Sequence, residues 1–450
     1  MSRALIMNAE IKPIKTAAEL KLAASFAVAK DTLPGGPLLS ERRLRAFEQF
    51  EALGLPHRRI EQWKYTDLRT LMRDAAPLAG VPSREAVASA RSAGAMFGGG
   101  EGARRLLFVD GAFASDRSDL SGLEPGLSIM AMGTALAEGD AAVMAQCGDV
   151  VPTDDVAVAL NTAFMGDGAV ILIADDTHIE RPIHLVFAFT SKTAAAVFPR
   201  SLVVVGRRSR LTLLESFEGP DGVDYQVNSV IELVVGDAAN VKHVKVGREG
   251  SHALHLSTVM GRIGAGSNLQ DIALTVGGAV VRNQLFVRFA GENGRLTANS
   301  ATLIRQRQHV DTTLVIDHAA PGGFSRELNK AVLDDESCGV FQGKIIVAPG
   351  AQKTDGKMMS QALLLSERAE ADHKPELEIF ADDVQCGHGA TAGALDQDLL
   401  FYIKARGLPQ KEAEALLIAA FVGEAFEAIE QEDIKEALMA IAQGWLGARP

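Results

Sequence analysis

The chain has 450 residues, of which 47% are hydrophobic and 5% are aromatic. A chain of that length can bury a large, mainly aliphatic core distributed over two or three domains. Its formal charge of −12 argues against a surface that binds nucleic acid or an anionic membrane.

The sequence also indicates the cellular compartment in which the protein works. Its three cysteines are too few for a disulfide framework and suit a reducing environment. The first ten residues contain no apolar core of signal-peptide length, and no apolar run approaches the roughly 18 residues that a membrane span needs. We therefore expect a soluble, cytoplasmic protein.

Residues 1–102 are predicted to form an N-terminal helical region. Apolar residues recur at three- and four-residue steps in residues 17–30 and 40–53, and Ser40 is expected to be the N-cap of the second helix. A third helix is predicted over residues 83–96. The glycine-rich end of this region predicts a domain boundary.

From residue 103 to residue 390 the pattern indicates β-structure. The first part, residues 103–168, is predicted to be an entry segment with one strand and a short helical stretch over residues 133–145. After it, short apolar or alternating runs are separated by Gly and Asp, which is typical of strands. Clear examples are residues 170–173, 184–187, 202–205 and 231–235.

Four glycines in this region form a repeat. Gly206, Gly236, Gly264 and Gly291 are spaced 30, 28 and 27 residues apart, and each is followed five positions later by an apolar residue. Strands with a regular spacing in this range predict a β-solenoid, with one coil per repeat and a glycine at each corner. The alternative is a β-sandwich with regular hairpins.

Residues 391–450 are predicted to form a C-terminal helical domain. The expected helices cover residues 397–405, 410–430 and 433–446. From Pro409 onward there are eight acidic and three basic residues. Such an acidic pair of helices with an apolar stripe is typical of a capping domain packed on the end of the solenoid. The other interpretation is a surface that docks a partner.

Several enzyme motifs are absent from the sequence. There is no phosphate-binding loop, no nucleophile elbow, no zinc-protease helix and no Cys-x-x-Cys pair. The string nearest to a phosphate-binding loop, residues 339–345, is too short and lacks the hydroxyl that holds magnesium. We therefore expect no nucleotide to bind to this chain.

Cys386 and His388 are the pair of soft ligands that the sequence offers. In an extended segment, positions i and i+2 face the same side, so a thiolate and an imidazole can converge on one metal ion. Two ligands are fewer than the three or four of a zinc or iron–sulfur site. Either the pair is structural, or its remaining ligands come from another chain.

The sequence contains other, weaker candidates for metal-binding or reactive side chains. His309, Asp311, Asp317 and His318 can form a His/Asp cluster, although such residues more often decorate a solvated strand. The pair Asp382-Asp383 can bind a hard cation or simply be solvated. Cys338, which precedes an apolar strand, is expected to pack in the core.

Long segments of the chain resemble the SufB/SufD family of iron–sulfur cluster assembly proteins, in its SufD form. The most specific are Lys374-Pro-Glu-Leu-Glu-Ile-Phe-Ala-Asp-Asp383 and Cys386-Gly-His-Gly-Ala-Thr391. Further matches cover residues 341–355, 400–407, 63–68, 159–164 and 199–205. The SufB form is usually longer, richer in cysteine and carries Glu around this His. Gly387 stands where Ser is common in the SufD form.

The resemblance implies a mainly β fold: a right-handed parallel β-helix flanked by N-terminal and C-terminal α-helical regions. It also implies a non-catalytic scaffold subunit that pairs with a SufB-like subunit through the β-helix. The C-terminal helices would bind a SufC-like ATPase, which would supply the ATP turnover. The resemblance also allows a homodimer of the isolated chain.

The resemblance further implies a site. A transient iron–sulfur cluster would be shared with the SufB-like partner, with His388 as a ligand and Cys386 beside it. Two alternatives stay open: a cytoplasmic β-solenoid enzyme that acts on carbohydrate, and an iron-delivery subunit that holds no cluster. A convergent pair of acids on one solenoid face would favour the enzyme, and the sequence shows no clear pair.

Overall fold

The computed structural model of the chain describes residues 15–98 and 102–449. The expected absence of a signal peptide concerns residues 1–10, which lie outside the described residues, and so do residues 99–101 of the glycine-rich boundary. Among the described helices, none is both long and apolar enough to cross a membrane.

Helices occupy both ends of the described chain, and short helices also lie between residues 132 and 164. The α-helices are Ala17–Ala29 (α1), Gly36–Leu53 (α2), Leu68–Leu71 (α3), Arg84–Ser89 (α4), Met132–Glu138 (α5), Ala141–Gln146 (α6), Val156–Phe164 (α7), Gln397–Ala405 (α8), Gln410–Gly423 (α9) and Glu432–Gly447 (α10). Short 3₁₀ helices cover Glu61–Trp63, Ala90–Ser92, Ala95–Phe97, Ser115–Arg117 and Glu424–Phe426.

Strands fill the region between them. They are Arg104–Val109 (β1), Ala112–Phe113 (β2), Leu127–Ala131 (β3), Ala169–Ile173 (β4), Ile183–Ala188 (β5), Ala196–Val197 (β6), Arg200–Val205 (β7), Arg210–Glu218 (β8), Gln226–Val235 (β9), Asn240–Arg248 (β10), Leu254–Ile263 (β11), Asn268–Thr275 (β12), Val280–Phe289 (β13), Arg295–Ile304 (β14), His309–His318 (β15), Phe324–Leu333 (β16), Cys338–Val347 (β17), Asp355–Leu364 (β18), Glu370–Ile379 (β19) and Gln385–Gly393 (β20).

The strands form two facing sheets. Sheet 1 has the order β2-β1-β5-β8-β10-β12-β14-β16-β18-β20, and sheet 2 has the order β19-β17-β15-β13-β11-β9-β7-β4-β3. From β7 to β20 consecutive strands alternate between the two sheets, and each pairs in parallel with the strand two positions further along. This is a β-solenoid, so the predicted fold class is confirmed and the sandwich alternative is wrong.

The interior of the solenoid is built from alternate residues of each strand. Val259, Leu285 and Leu314 are partners in neighbouring strands of sheet 2 and are all buried. Because a parallel sheet places equivalent residues directly beside each other, one apolar position per coil produces a continuous aliphatic column. This explains why the core needs few aromatic residues.

The repeated glycines stand at the corners where β7, β9, β11 and β13 end, as predicted. A Cβ atom built on Gly236 would lie 2.8 Å from the carbonyl oxygen of Val205 and 2.9 Å from the amide nitrogen of Arg207. Only glycine lets the corners of successive coils approach so closely. Asn293-Gly294, a dipeptide typical of hairpins, instead turns the chain from sheet 2 to sheet 1 with Asn293 at a φ of 60°.

Several predicted helix boundaries were wrong. Helix α2 begins at Gly36 rather than after Ser40, whose hydroxyl donates to the Gly36 carbonyl oxygen within the helix. The predicted helix over residues 83–96 is an α-helix of six residues followed by 3₁₀ turns, and that over residues 133–145 is two short helices. Helix α7 has no counterpart in the sequence predictions; Asp155 caps its first turn.

Helices α9 and α10 also lie elsewhere than expected. Their apolar side chains, among them Val422 and Leu438, pack in one cluster with residues such as Val244 and Ile272 on the outer face of sheet 1. They therefore cover the flank of the solenoid and not its end, because several residues on the outer face of these strands, such as Val246 and Leu274, are apolar too. Lys330, which is 1% exposed, pairs with Glu424 at 2.6 Å beneath these helices.

Candidate functional site

Cys386 and His388 lie on β20, the last strand of sheet 1. Within the described residues, β20 pairs through one edge with β18, and no strand covers its other edge. The register sets Cys386 beside Gly356 and His388 beside Met358. The pair therefore sits on the last coil, at the open end of the solenoid.

Both side chains belong to the inner face of that coil. Cys386 is half-buried and packs against the interior core, whereas His388 is exposed. Met358, the register neighbour of His388, is 2% exposed and belongs to the same core. The structure thus supports the expected same-side arrangement of the two candidate ligands, with the thiol deeper than the imidazole.

The thiol of Cys386 is in its neutral form at neutral pH. Burial raises its pKa, and the backbone hydrogen bond from Gly356 offsets only part of that effect. The thiolate is the form that binds metals, so a bound cation is needed to displace the proton.

A second histidine reaches the same end of the solenoid from the other sheet. His373 on β19 is the register partner of Phe341, whose ring lies in the core, so His373 also faces inward. Burial lowers its pKa despite a hydrogen bond to the backbone of Ser360, and its buried Nδ1 has no hydrogen-bond partner in the described residues. His373 is therefore a neutral imidazole with a free lone pair. Sequence reasoning missed it, although the alternation within β19 places it inward.

Two coils below His388 the interior holds a carboxyl group. Glu327 on β16 is the register partner of Met358 and is 2% exposed. Burial raises its pKa to about 8, the nearby Ser325 hydroxyl lowering it only partly. Neither carboxyl oxygen makes a hydrogen bond of normal geometry. No pattern in the sequence singles out this acid, because it occupies a position that alternation assigns to an apolar residue.

The other sequence candidates do not join this site. Asp311 is fully buried on the outer face of sheet 2, where Arg282 and Thr66 bind it, and His309 bonds Thr66 at 2.9 Å. His318 faces inward and bonds Ser325 at 3.0 Å. The expectation of a solvated strand was wrong, because the segment around Trp63 covers Asp311 and the core covers His318.

The remaining candidates contribute little. Asp382 and Asp383 are exposed, and Lys353 pairs with Asp383. Cys338 is half-buried, and burial raises the pKa of its thiol to about 12, which agrees with packing rather than reactivity. Across residues 15–98 and 102–449, no group of three or more His, Cys, Asp or Glu side chains is arranged to hold a metal ion.

A cavity of about 490 Å³ lies elsewhere, between the segment around Trp63 and the outer face of sheet 2. Neither Cys386 nor His388 lines it. Several of its charged side chains are already paired, for example Lys374 with Glu61. We therefore do not assign it to the site on β20.

The family models match most of the chain. The model of the SufBD core domain of the SUF iron–sulfur cluster assembly system matches residues 187–421. The model of the SufBD N-terminal region matches residues 23–76 and 102–185. The core match includes β20 and the pair of candidate ligands.

Known proteins are similar along much of the chain. An iron–sulfur cluster assembly SufBD family protein of Synechocystis is 32% identical over 403 residues, which are 87% of this chain and 88% of that protein. The iron–sulfur cluster assembly protein SufD of Escherichia coli is 28% identical over 90% of this chain and 92% of its own length. The SufD protein of Bacillus subtilis is 26% identical over 63% of this chain and 65% of its own length.

Proposed function

The chain belongs to the SufBD family of iron–sulfur cluster assembly proteins, and from that premise we propose that it is a non-catalytic scaffold subunit of a complex with a SufB-like subunit and a SufC-like ATPase. Its three cysteines are all free, which agrees with work in the reducing cytoplasm. The cluster is the cargo that the complex assembles.

His388 carries the proposed assembly site. Its imidazole is exposed at the open end of the solenoid, and Cys386 lies on the same face two residues earlier. In the described chain these two have no third ligand of the His, Cys, Asp or Glu type in reach. A half-site of this kind agrees with a cluster that bridges this chain and a partner, since iron–sulfur sites need further ligands.

The SufB-like partner would sit on the open end of the solenoid. Strands β19 and β20 each leave one edge without a neighbouring strand in the described part of the chain, and such edges readily pair with strands of another chain. Phe380, between the two strands, is 63% exposed. Its neighbour Ile379 is 40% exposed, so two adjacent apolar side chains lie beside the unpaired edges, where a partner strand would cover them.

The SufC-like ATPase would bind the C-terminal helices. Helix α8 follows β20 directly and exposes three large side chains, Leu399, Phe401 and Tyr402. Helices α9 and α10 hold the C-terminal end of α8 on sheet 1. Because β20 leads directly into the other end of α8, a force applied to α8 would act on β20. This arrangement supports a link between ATP turnover in the partner and the site at His388.

The test is anaerobic purification of the chain co-expressed with its two partners, comparing wild type with His388→Ala. We expect both complexes to assemble and only the wild type to show iron–sulfur absorption. His252→Ala is the matched control, because that histidine is exposed on the solenoid corner between β10 and β11, several coils away from β20. Cys386→Ser shows whether the thiol contributes to cluster content.

Two outcomes contradict the proposal. Full cluster content in the His388→Ala complex would make the imidazole structural and move the site to the partner. A wild-type chain that forms no complex would rule out the scaffold role itself.

A further inference from the structure

A cluster of ionisable side chains lies inside the solenoid, several coils away from the pair on β20. Each member is at most 8% exposed, and they come from β8, from β10 and the residue that follows it, and from β11 and β12: Glu215, His243, Lys245, Glu249, His255 and Asp271. His243 lies 2.6 Å from Asp271 and 3.5 Å from Glu215. The proposed function uses none of these side chains.

A cavity of about 30 Å³ lies beside this cluster, between the inner faces of the two sheets. Polar side chains from both sheets line it: Lys245, Asp271 and Ser300 from sheet 1, and Asn283 and Thr312 from sheet 2. Asn283 and Ser300 point inward and are nevertheless only half-buried, because the cavity leaves part of their surface accessible to water. Since roughly 10–15 Å³ holds one water molecule, this cavity has room for about two.

The groups that line this cavity have unused hydrogen-bonding capacity. The Lys245 ammonium group has three N–H donors, and within the described residues it uses two, for Ser257 Oγ at 2.8 Å and Asn283 Oδ1 at 2.7 Å. Ser300 donates to Asn329 at 2.8 Å, and its oxygen can still accept. A buried donor without an acceptor costs free energy, because nothing replaces the water that it loses on folding. A water molecule in the cavity would accept from Lys245 and donate to Ser300.

A second cavity gives an independent indication. It measures about 20 Å³, and Glu249 and Tyr225 line it together with phenylalanine rings such as that of Phe217. Glu249 binds His255 through Oε1, whereas its buried Oε2 atom has no hydrogen-bond partner in the described part of the chain. The Tyr225 hydroxyl accepts from the Gly250 amide at 2.8 Å and can still donate its own proton. One water molecule fits here and would accept from Tyr225 and donate to Glu249.

We propose that ordered water binds in both cavities as a permanent part of the folded solenoid, about two molecules between Lys245 and Ser300 and one beside Glu249. Water that completes these hydrogen bonds lowers the cost of burying the charges of the cluster. It also lengthens a hydrogen-bonded column, because Ser300 continues through Asn329 to Ser360 on β18, at 2.8 and 3.0 Å. The polar column then runs from the ionic cluster to the coil beneath β20. This inference is independent of the proposed function.

The test is X-ray footprinting of the isolated full-length chain, in which hydroxyl radicals form from bound water and modify the side chains beside it. Leu314 lines the larger cavity and is 7% exposed, so we expect it to be modified several-fold faster than Leu254, which is also 7% exposed and lines neither cavity. For the smaller cavity the matched pair is Phe217 and Phe50, both 2% exposed, and Phe217 should be modified faster.

Ser300→Ala removes a partner of the water in the larger cavity and should lower the modification of Leu314, leaving that of Phe217 unchanged. Ser360→Ala is the matched control, because this inward-facing serine lines neither cavity. A crystal structure of wild type that resolves ordered solvent gives a second readout, with density expected beside Lys245 Nζ and Glu249 Oε2.

Three results would overturn the proposal. They are equal modification of the residues in each matched pair, cavities without solvent density in the crystal, and an equal fall in Leu314 modification in the two serine variants. Water in one cavity alone would overturn the assignment of the other. None of these results depends on partner subunits or on iron, so the inference and the proposed function fail separately.

Discussion

At the scale of single residues, the solenoid interior holds ionisable groups in two different ways. His243 lies between two carboxylates, at 2.6 Å from Asp271 and 3.5 Å from Glu215. Burial alone would lower its pKa, but hydrogen bonds to the two acids raise it to about 9. Glu327 has no such counter-charge and stays neutral instead. A buried ionisable group is thus either paired or uncharged.

The neutral acid predicts a pH-dependent stability. Between the ordinary pKa of 4.5 and about 8, the unfolded chain loses the Glu327 proton while the folded chain keeps it. The free energy of unfolding therefore falls as pH rises through this window. Glu327→Gln removes the effect and should be more stable than wild type at pH 8 by roughly 2–5 kcal/mol.

Urea unfolding at pH 5.5 and pH 8 measures this difference. The contribution of His243 is also lost as pH rises toward 9, but wild type and variant share it, so it cancels in the comparison. Glu367→Gln, at an exposed position, is the control and should follow wild type. Parallel pH profiles for wild type and Glu327→Gln would contradict the assignment of a neutral buried acid.

At the scale of elements, the three C-terminal helices differ in how much of their apolar surface is buried. Helices α9 and α10 bury Ile418, Val422 and Leu438 against sheet 1. Helix α8 buries one residue, Leu400, and leaves Phe401 74% exposed. These exposed side chains of α8 are the ones that the proposed docking of a SufC-like ATPase would use.

This assignment predicts the effect of a double substitution. Phe401→Ala with Tyr402→Ala should weaken binding of the SufC-like ATPase by about tenfold or more, as expected for aromatic residues at the centre of an interface. The thermal stability of the isolated chain should not change, because both side chains are more than half exposed. Isothermal titration with the purified ATPase measures the affinity.

The control is Leu20→Ala on α1, which removes an equally exposed apolar side chain, 57% exposed, in the N-terminal region. Equal affinities for the ATPase in wild type and in the double variant would refute a docking role for α8.

At the scale of the whole molecule, stability depends on the stacking of successive coils. The core columns and the corner glycines repeat the same contacts from one coil to the next. The segment around Trp63 joins the N-terminal region to sheet 2: Arg282 stacks on the indole at 3.9 Å and donates to the Gln62 carbonyl oxygen at 2.7 Å. The flanking regions are therefore bound to the sides of the solenoid, and within the described chain no strand covers the outer edges of β19 and β20.

A corner substitution should disturb this stacking. Gly236→Ala forces a Cβ atom against the backbone of the coil below, and we expect it to destabilise the chain by about 1–3 kcal/mol. Gly350→Ala is the control, because a Cβ atom there would have nothing within 4 Å. Chemical denaturation of both variants provides the comparison. Equal stability would mean that corner glycines are not required for coil stacking.

The sequence by itself determined the strand pattern and the period of the fold. Alternating apolar residues and the spacing of Gly206, Gly236 and Gly264 are local signals, and they were enough to predict strands, corners and a solenoid. The same alternation put Cys386 and His388 on one face. Helix α8 was predicted with its observed bounds, because its cap and its stop at Gly407 are also local.

The tertiary structure alone decided what surrounds that pair. Met358 lies 30 residues before His388 in sequence, and Glu327 is 31 residues before Met358, yet the parallel register stacks all three. His373 arrives from the other sheet. The packing of α9 on the flank likewise depends on outer-face residues from several coils. Local periodicity specifies which way a side chain points, but only the register between coils specifies its neighbours.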